Sequence, residues 1–529
     1  MRHRRSIALP LVVLAGLVSM AGCRSNESIA NAGIDRPPAT TAAPTTAPPT
    51  TAPGETLPPG ETLPPGDTLP TETTTTAPPP TTIPTKLDEL PQCDVTALDD
   101  ASGPVNITFW HGLSNELGEA ITALTNEYNQ SQSKVRVDLQ FQGGYEDNIN
   151  KYLQSNQDNR PDLVQMPEYM VQQMIDTESI VPTQACAESA EYDMTPFLPQ
   201  ALGAYATEGV QWSMPFNVSV PVLFFLKPRL ETAGLDPENP PTTLQDLLAA
   251  GKQIVASGAS PYSIALDSDF DGGGGWYVEQ WLAKGGDFYA DNDNGRAASA
   301  TKVLYDGPAG VQLLTYLKQL VTEGGAVYVG DNASGQDSLL KLADSAAPAS
   351  MTISTSASLG IVLSVLGNGL IEGITADQVG VGPMPGPAEG PAGGAGAVVG
   401  GASLYIVDKG DDKAAASWDF IEFLESAQSQ STFAAATGYI PVRQDAIELD
   451  PIKSVYVNDP RFKVAYDQLL ASADVPTSNG PVIGPLQQVR KVTAAAVAEV
   501  LTGGDPQTAL TTAAQQANDL IYNYSLQNG

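Results

Sequence analysis

Histidine is almost missing from these 529 residues: His3 and His111 are the whole supply. A zinc site or a histidine-based catalytic triad therefore has nothing to be built from. His111 stands beside Trp110 and reads as a packed residue. Basic residues are also few, 26 against 60 acidic, for a formal charge of -34. That balance argues against nucleic acid and against anionic membrane surfaces as partners, and it requires any anionic ligand to find a locally positive pocket. There is no G-x-S-x-G, and the glycines of Gly394–Gly400 are wrongly spaced for a dinucleotide fingerprint and follow no strand. The apolar run Ile7–Val18 is too short to span a bilayer. Asp267, Asp269, Asp271 and Gly272 open like a calcium loop, but the acid expected at the twelfth position comes one late, at Glu279. That stretch and Asp291–Gly295 read as solvated acidic turns, with calcium the alternative, and no metal site is expected.

What remains is a hydrophobic content of 42% and a length that calls for more than one core. Met1–Cys23 has a basic start, the apolar run, and Ala21-Gly22 before Cys23. It resembles a bacterial lipoprotein signal whose cysteine takes the lipid. Cys93 and Cys186 are then the one intramolecular pair left in an oxidising compartment, and a disulfide is favoured over two free thiols. Residues 24–100 follow as a linker. Their Thr, Pro and Ala, and the repeat GETLPP, GETLPP, GDTLPT from Gly54, cannot bury a core.

The folded part alternates. Val105–Trp110, Lys134–Phe141 and Asp162–Met166 read as strands, with helices over Asn115–Tyr128 and Tyr145–Leu153 between them. This pattern predicts parallel βαβ units. Gln211–Lys227 is the pivot: Trp212–Val220, with polar residues and Pro215, reads as a loop, and Val222–Leu226 as a buried strand. Helices are expected over Leu244–Val255, Val278–Lys284, Ala309–Val321, Ser338–Leu342 and Ala414–Leu424, and twice more after Val489. Gly386–Gly401 reads as a second interlobe loop and Ser403–Val407 as a strand.

Six segments in this order carry a family resemblance: ITFWHGLSNELGEAI (Ile107–Ile121), GGYEDNI (Gly143–Ile149), PFNVSVPVLFF (Pro215–Phe225), AGLDPENPPTTLQDL (Ala233–Leu247), GGASLYIV (Gly400–Val407) and TGYIPV (Thr437–Val442). Together they resemble the type II solute-binding proteins of ABC importers, and within these the glycerol-3-phosphate-binding branch. The resemblance implies an α/β, two-lobed type II periplasmic-binding-protein fold with a ligand cleft between lobes, preceded by the signal peptide and a disordered linker. Lobe 1 would comprise 101–220 and 398–432, and lobe 2 would comprise 221–397 and 433–529. It also implies a lipid-anchored, extracytoplasmic monomer without cofactor or catalysis, serving an ABC permease. The ligand would be glycerol-3-phosphate or a glycerophosphodiester, with a sugar as the alternative.

Carried over position by position, the resemblance assigns ligand contacts to Tyr145, Glu168, Ser219, Thr355, Gly401, Tyr439 and Arg490. The chemistry suits a phosphate: a fork-shaped cation at Arg490, hydroxyls at Ser219, Thr355 and Tyr439, and a backbone N–H at Gly401. Glu168 would accept from glycerol hydroxyls. Taken singly, Arg490 reads as the partner of a surface carboxylate, and the tyrosines read as packing. One departure stands out. The branch carries a tryptophan before Trp276, whereas here the segment is DGGGGW. The missing wall is expected to open the pocket toward larger phosphodiesters. The rival class is an extracytoplasmic hydrolase that pairs Glu168 with a second acid.

Overall fold

The computed structural model describes residues 86–331, 336–387 and 396–528. The chain divides into Met1–Ile83 and Pro84–Gly529. The leader, Cys23 and the linker as far as residue 85 lie outside the described residues, as does 388–395 of the expected interlobe loop.

The folded part begins inside the stretch assigned to linker. Two 3-10 turns, Lys86–Glu89 and Val95–Leu98, carry Leu87, Cys93 and Leu98 into the core. Cys93 is bonded to Cys186, 93 residues on. The linker expectation to residue 100 fails here because a few spaced apolar residues and a cross-link supply burial that composition does not report.

Strands β1 (Val105–His111), β2 (Val135–Phe141), β3 (Leu163–Pro167) and β4 (Ile180–Val181) come first. A short hairpin, β5 (Ala206–Thr207) and β6 (Val210–Gln211), leads to β7 (Met214–Ser219) and β8 (Pro221–Leu226). Strands β9 (Tyr262–Leu266), β10 (Val327–Tyr328), β11 (Ala349–Thr355), β12 (Val379–Pro383) and β13 (Gly400–Val407) complete the set. One sheet runs β2-β1-β3-β13-β4 with β7 also on β13, and the other runs β10-β9-β11-β8-β12. Each sheet is the floor of one lobe. The pairs β1–β2, β1–β3, β9–β10 and β9–β11 are parallel, as alternation predicts. The strands that carry the chain between lobes run the other way: β13 is antiparallel to β3 and β7, and β8 to β11 and β12.

The stretch read as a loop is strand β7, with all six residues buried. Its register on β13 slips between Asn217 and Pro215, so Phe216 has no partner. A proline lacks the ladder donor and belongs at such a bulge. Polar Asn217 and Ser219 hid the strand from a hydrophobicity reading. Buried Val220 is then the one residue between the two sheets, and its carbonyl accepts from the Ser356 amide at 2.9 Å.

Helices pack on these sheets: α1 (Asn115–Ser131), α2 (Tyr145–Gln154), α3 (Leu244–Ser257), α4 (Trp276–Gly285), α5 (Pro308–Thr322), α6 (Asp411–Leu424), α7 (Ala427–Thr437), α8 (Leu486–Leu501) and α9 (Pro506–Asn528). Their ends follow local chemistry. The Thr243 hydroxyl accepts from the Asp246 amide to start α3, and left-handed Gly258 stops it. Ser426 caps α7 in the same way, and Gly438 ends it and turns the chain into Tyr439. Helix α7 packs on α1, so the expected boundary between 432 and 433 falls inside a helix held by the first lobe. Helix α8 packs on α9 and α5, within the second.

Candidate ligand-binding cleft

Strand ends and helix starts meet where β7 hands over to β8. Tyr145 opens α2, its hydroxyl accepting from the Asn217 side chain at 2.9 Å. The Asn217 side-chain Oδ1 accepts from the Gln165 Nε2 at 2.7 Å, and the Gln165 Oε1 accepts from the Gly112 amide at 2.9 Å. Both amide side chains are fully buried. Sequence reasoning missed this relay, although an amide inside an otherwise apolar strand is a signal, since a buried polar group demands a partner. Tyr439 comes within reach of the same Asn217 and Tyr145. Its ring stacks on Phe433 at 6.1 Å, and Phe433 stacks on Phe216 at 4.7 Å.

Ser219 ends β7, and Thr355 ends β11, where it pairs with Pro221. The two flank the crossing at Val220. Gly401 has φ +97°, and a Cβ there would sit 1.9 Å from the Asn217 carbonyl oxygen. This glycine is required by the protein's own strand packing, β13 on β7.

Arg490 is the least available of the expected contacts. Its side chain is 1% exposed and projects from α8 into three carboxylates. Nε and Nη2 donate to the two oxygens of Glu279 at 2.6 and 2.8 Å, a bidentate fork. Nη1 meets Asp271 at 3.2 Å and Glu168 at 2.9 Å. Glu279 and Asp271 belong to the second lobe, but Glu168 follows β3 of the first, so this arginine ties the lobes together. Burial works against the arginine's charge, but the carboxylates, Glu279 foremost, outweigh it and hold it firmly protonated. Burial raises Glu279 and Glu168 above the usual carboxylate range. Asp271 is pushed up to about 7, by desolvation first and the Glu168 charge second. Glu146 of α2 accepts from Gln487 at 3.0 Å and from Lys491 at 3.2 Å, a second link between lobes at the rim. The Tyr169 and Phe270 rings also meet, with centroids 6.4 Å apart.

The tetraglycine does not vacate a wall. A Cβ on Gly273 would lie 2.2 Å from the Asp267 carbonyl oxygen, on Gly274 2.6 Å from the Ala494 Cβ, and on Gly275 1.9 Å from the Phe270 carbonyl oxygen. These glycines form a tight turn pressed against α8, which corrects the expectation that their missing side chains widen the pocket. The acidic turn before them is not solvated. Asp267 and Asp269 are buried, Asp267 accepts from the Gly273 amide at 2.8 Å, and Asp269 accepts from the Asp271 amide at 2.9 Å. Among the described residues no acid, histidine or cysteine group is arranged for a metal ion.

Several polar atoms here lack partners. Trp276 Nε1 and the Tyr205 hydroxyl are buried without a hydrogen-bond partner among the described residues. The Tyr205 hydroxyl lies in the field of Glu168 and Tyr439, and Trp276 packs against Gly400. Trp276 opens helix α4 and Tyr205 closes the helix Pro199–Ala204, and orphaned donors of this kind are what a polar ligand satisfies. His111 is apart from this set, packed between the Phe109 and Phe141 rings and lowered to about 4 by burial.

A sequence profile described as "Bacterial extracellular solute-binding protein" matches residues 123–463. The chain is 28% identical over 437 residues to the sn-glycerol-3-phosphate-binding periplasmic protein UgpB of Escherichia coli K12, covering 81% of this chain and 95% of that one. Among solved structures it resembles UgpB from Mycobacterium tuberculosis in complex with glycerophosphocholine, with TM-score 0.63, 20% identity and coverage of 80% and 100%. It also resembles the cyclic α-maltosyl-1,6-maltose binding protein from Arthrobacter globiformis, with TM-score 0.65, 22% identity and coverage of 80% and 100%. The two-lobed type II fold is common to all of them.

Proposed function

We propose, from the premise that this chain belongs to the family of bacterial extracellular solute-binding proteins, that it is the solute-binding component of an ABC importer and takes a glycerol phosphate or a glycerophosphodiester into its cleft. The observation that carries this is the convergence, at one crossing between sheets, of Tyr145, Tyr439 and Tyr205 on Glu168, itself paired with Arg490, while Trp276 lies against Gly400 of β13. Glycerol hydroxyls donate to Glu168 and accept from the orphaned donors. Ser219 and Thr355 stand ready for the phosphate oxygens. Likeness to the glycerol-3-phosphate-binding and glycerophosphocholine-bound relatives supports the same ligand class.

In this reading the two lobes close on the solute by a hinge at the Val220 crossing, and the closed form docks on the permease. The ligand is returned unchanged, because the cleft needs no nucleophile. Cys23 carries the lipid. No helix among the described residues is long and apolar enough to cross a membrane.

A sugar is the second reading, favoured by the aromatic side chains at the cleft and by sugar-binding proteins of the same fold. A thermal-shift panel separates them: glycerophosphocholine, glycerol-3-phosphate, inorganic phosphate, and mono- and disaccharides. A ligand at a hundred times its Kd adds about 2.7 kcal/mol of stability. A shift with sugars alone would overturn the glycerol-phosphate assignment.

A further inference from the structure

Resting on that reading, we propose that Asp271 is a specificity-determining residue that turns the cleft against phosphate monoesters and toward glycerophosphodiesters whose headgroup carries a compensating positive charge. Arg490 supplies one positive charge, and three carboxylates already face it. Its Nε and Nη2 are spent on Glu279, and its Nη1 is shared by Glu168 and Asp271. A monoester brings close to two negative charges at neutral pH. A diester brings one, and a diester with a quaternary ammonium brings none net. To reach the guanidinium, a phosphate must take Nη1 from Asp271 and lie against the remaining acids.

The three carboxylates are not equivalent. Glu279 and Glu168 are 1% and 10% exposed, locked between the lobes. The Asp271 side chain is 45% exposed, so it is the acid that solvent and ligand reach. Its backbone N–H donates to Asp269 at 2.9 Å, and its carboxylate lies 3.2 Å from Nη1. Glu146 at the same rim is paired with Lys491 at 3.2 Å, so the two offset each other and Asp271 is left as the acid that sets the local sign. A cationic headgroup therefore meets an unspent carboxylate oxygen at the cleft mouth, and a second phosphate charge meets repulsion.

The test is isothermal titration of the purified chain at pH 8.5, above the raised Asp271 so that its carboxylate is ionised, with glycerophosphocholine and glycerol-3-phosphate, using the wild type and Asp271→Asn. The wild type is expected to bind the zwitterionic diester at least about tenfold more tightly, the scale of one like-charge contact across a few ångströms near solvent. Asp271→Asn should tighten glycerol-3-phosphate about tenfold and leave the diester equal or weaker. Asp271→Ser, which carries neither carboxylate nor amide, must move the ratio the same way, and a thermal melt of each variant checks folding. A wild type that prefers the monoester overturns the proposal, as does a ratio that neither variant moves. A wild type that binds neither phosphate compound overturns the underlying ligand assignment, and this inference with it.

Discussion

Replacing Arg490 by alanine tests whether this arginine is chiefly a structural counter-ion or a free hook for phosphate. The substitution leaves Glu279, itself 1% exposed, with both oxygens stripped of their donors, and Glu168 without its cross-lobe partner. Removing one member of a buried, hydrogen-bonded pair costs about 3–5 kcal/mol. Glu279 is bound at 2.6 and 2.8 Å by two donors, so the upper half of that range applies. The loss should depend on pH. The folded state already raises Glu168 and Glu279, and deleting the cation raises them further. A carboxylate raised in the fold binds more protons there than in the unfolded chain. The penalty is therefore absent at low pH and grows as pH climbs through and above about 4.3. Urea unfolding followed by tryptophan fluorescence, without ligand, should give a large deficit for Arg490→Ala at pH 7.5 and a smaller one at pH 5. Adding Glu279→Gln should recover more than half of it. An Arg490→Ala protein within about 0.5 kcal/mol of wild type at pH 7.5 would refute the reasoning, because only a free hook can be removed at no cost in stability.

Glu425 is fully buried and neither carboxylate oxygen has a hydrogen-bond partner among the described residues, so burial raises it well above the usual range. By the same sign, Glu425→Gln should stabilise the protein at pH 7–8 and leave it unchanged near pH 4, as read from melting curves at the two pH values. Gly401→Ala must fit a side chain at φ +97° against the Asn217 carbonyl and should cost about 3 kcal/mol or more in urea unfolding, detaching β7 from β13. Opening the 93-residue loop closed by Cys93 and Cys186 should cost about 4–5 kcal/mol, measured on the double serine variant.

The sequence announces the two-lobed architecture because its parallel units obey simple periodicities. Ile107, Phe109 and His111 alternate inward on β1, and Ile121, Leu124 and Tyr128 share a face of α1. It conceals β7, where a bulge, a proline and the two buried polar residues Asn217 and Ser219 break the pattern that marks a strand. It also conceals the environment of Arg490. The resemblance names Arg490, but its three acidic partners come from positions 168, 271 and 279, and no spacing rule joins them. Glu279 stood out only as a misplaced calcium ligand. Glycines read as open space proved to be close packing, because a missing side chain says nothing about what presses on the backbone. In each case the decisive fact is a contact between segments hundreds of residues apart or folded on themselves, which local pattern does not encode.

The most direct test of the cleft assignment is a crystal structure of the protein grown with glycerophosphocholine. One ligand is expected at the Val220 crossing, with glycerol hydroxyls on Glu168 and the phosphate between Ser219, Thr355 and the Arg490 guanidinium. Trp276 Nε1 or the Tyr205 hydroxyl should donate to it, and Asp271 should face the ammonium. A ligand bound elsewhere, or one in the cleft that leaves Tyr145, Glu168 and Trp276 all beyond hydrogen-bond distance, would contradict it.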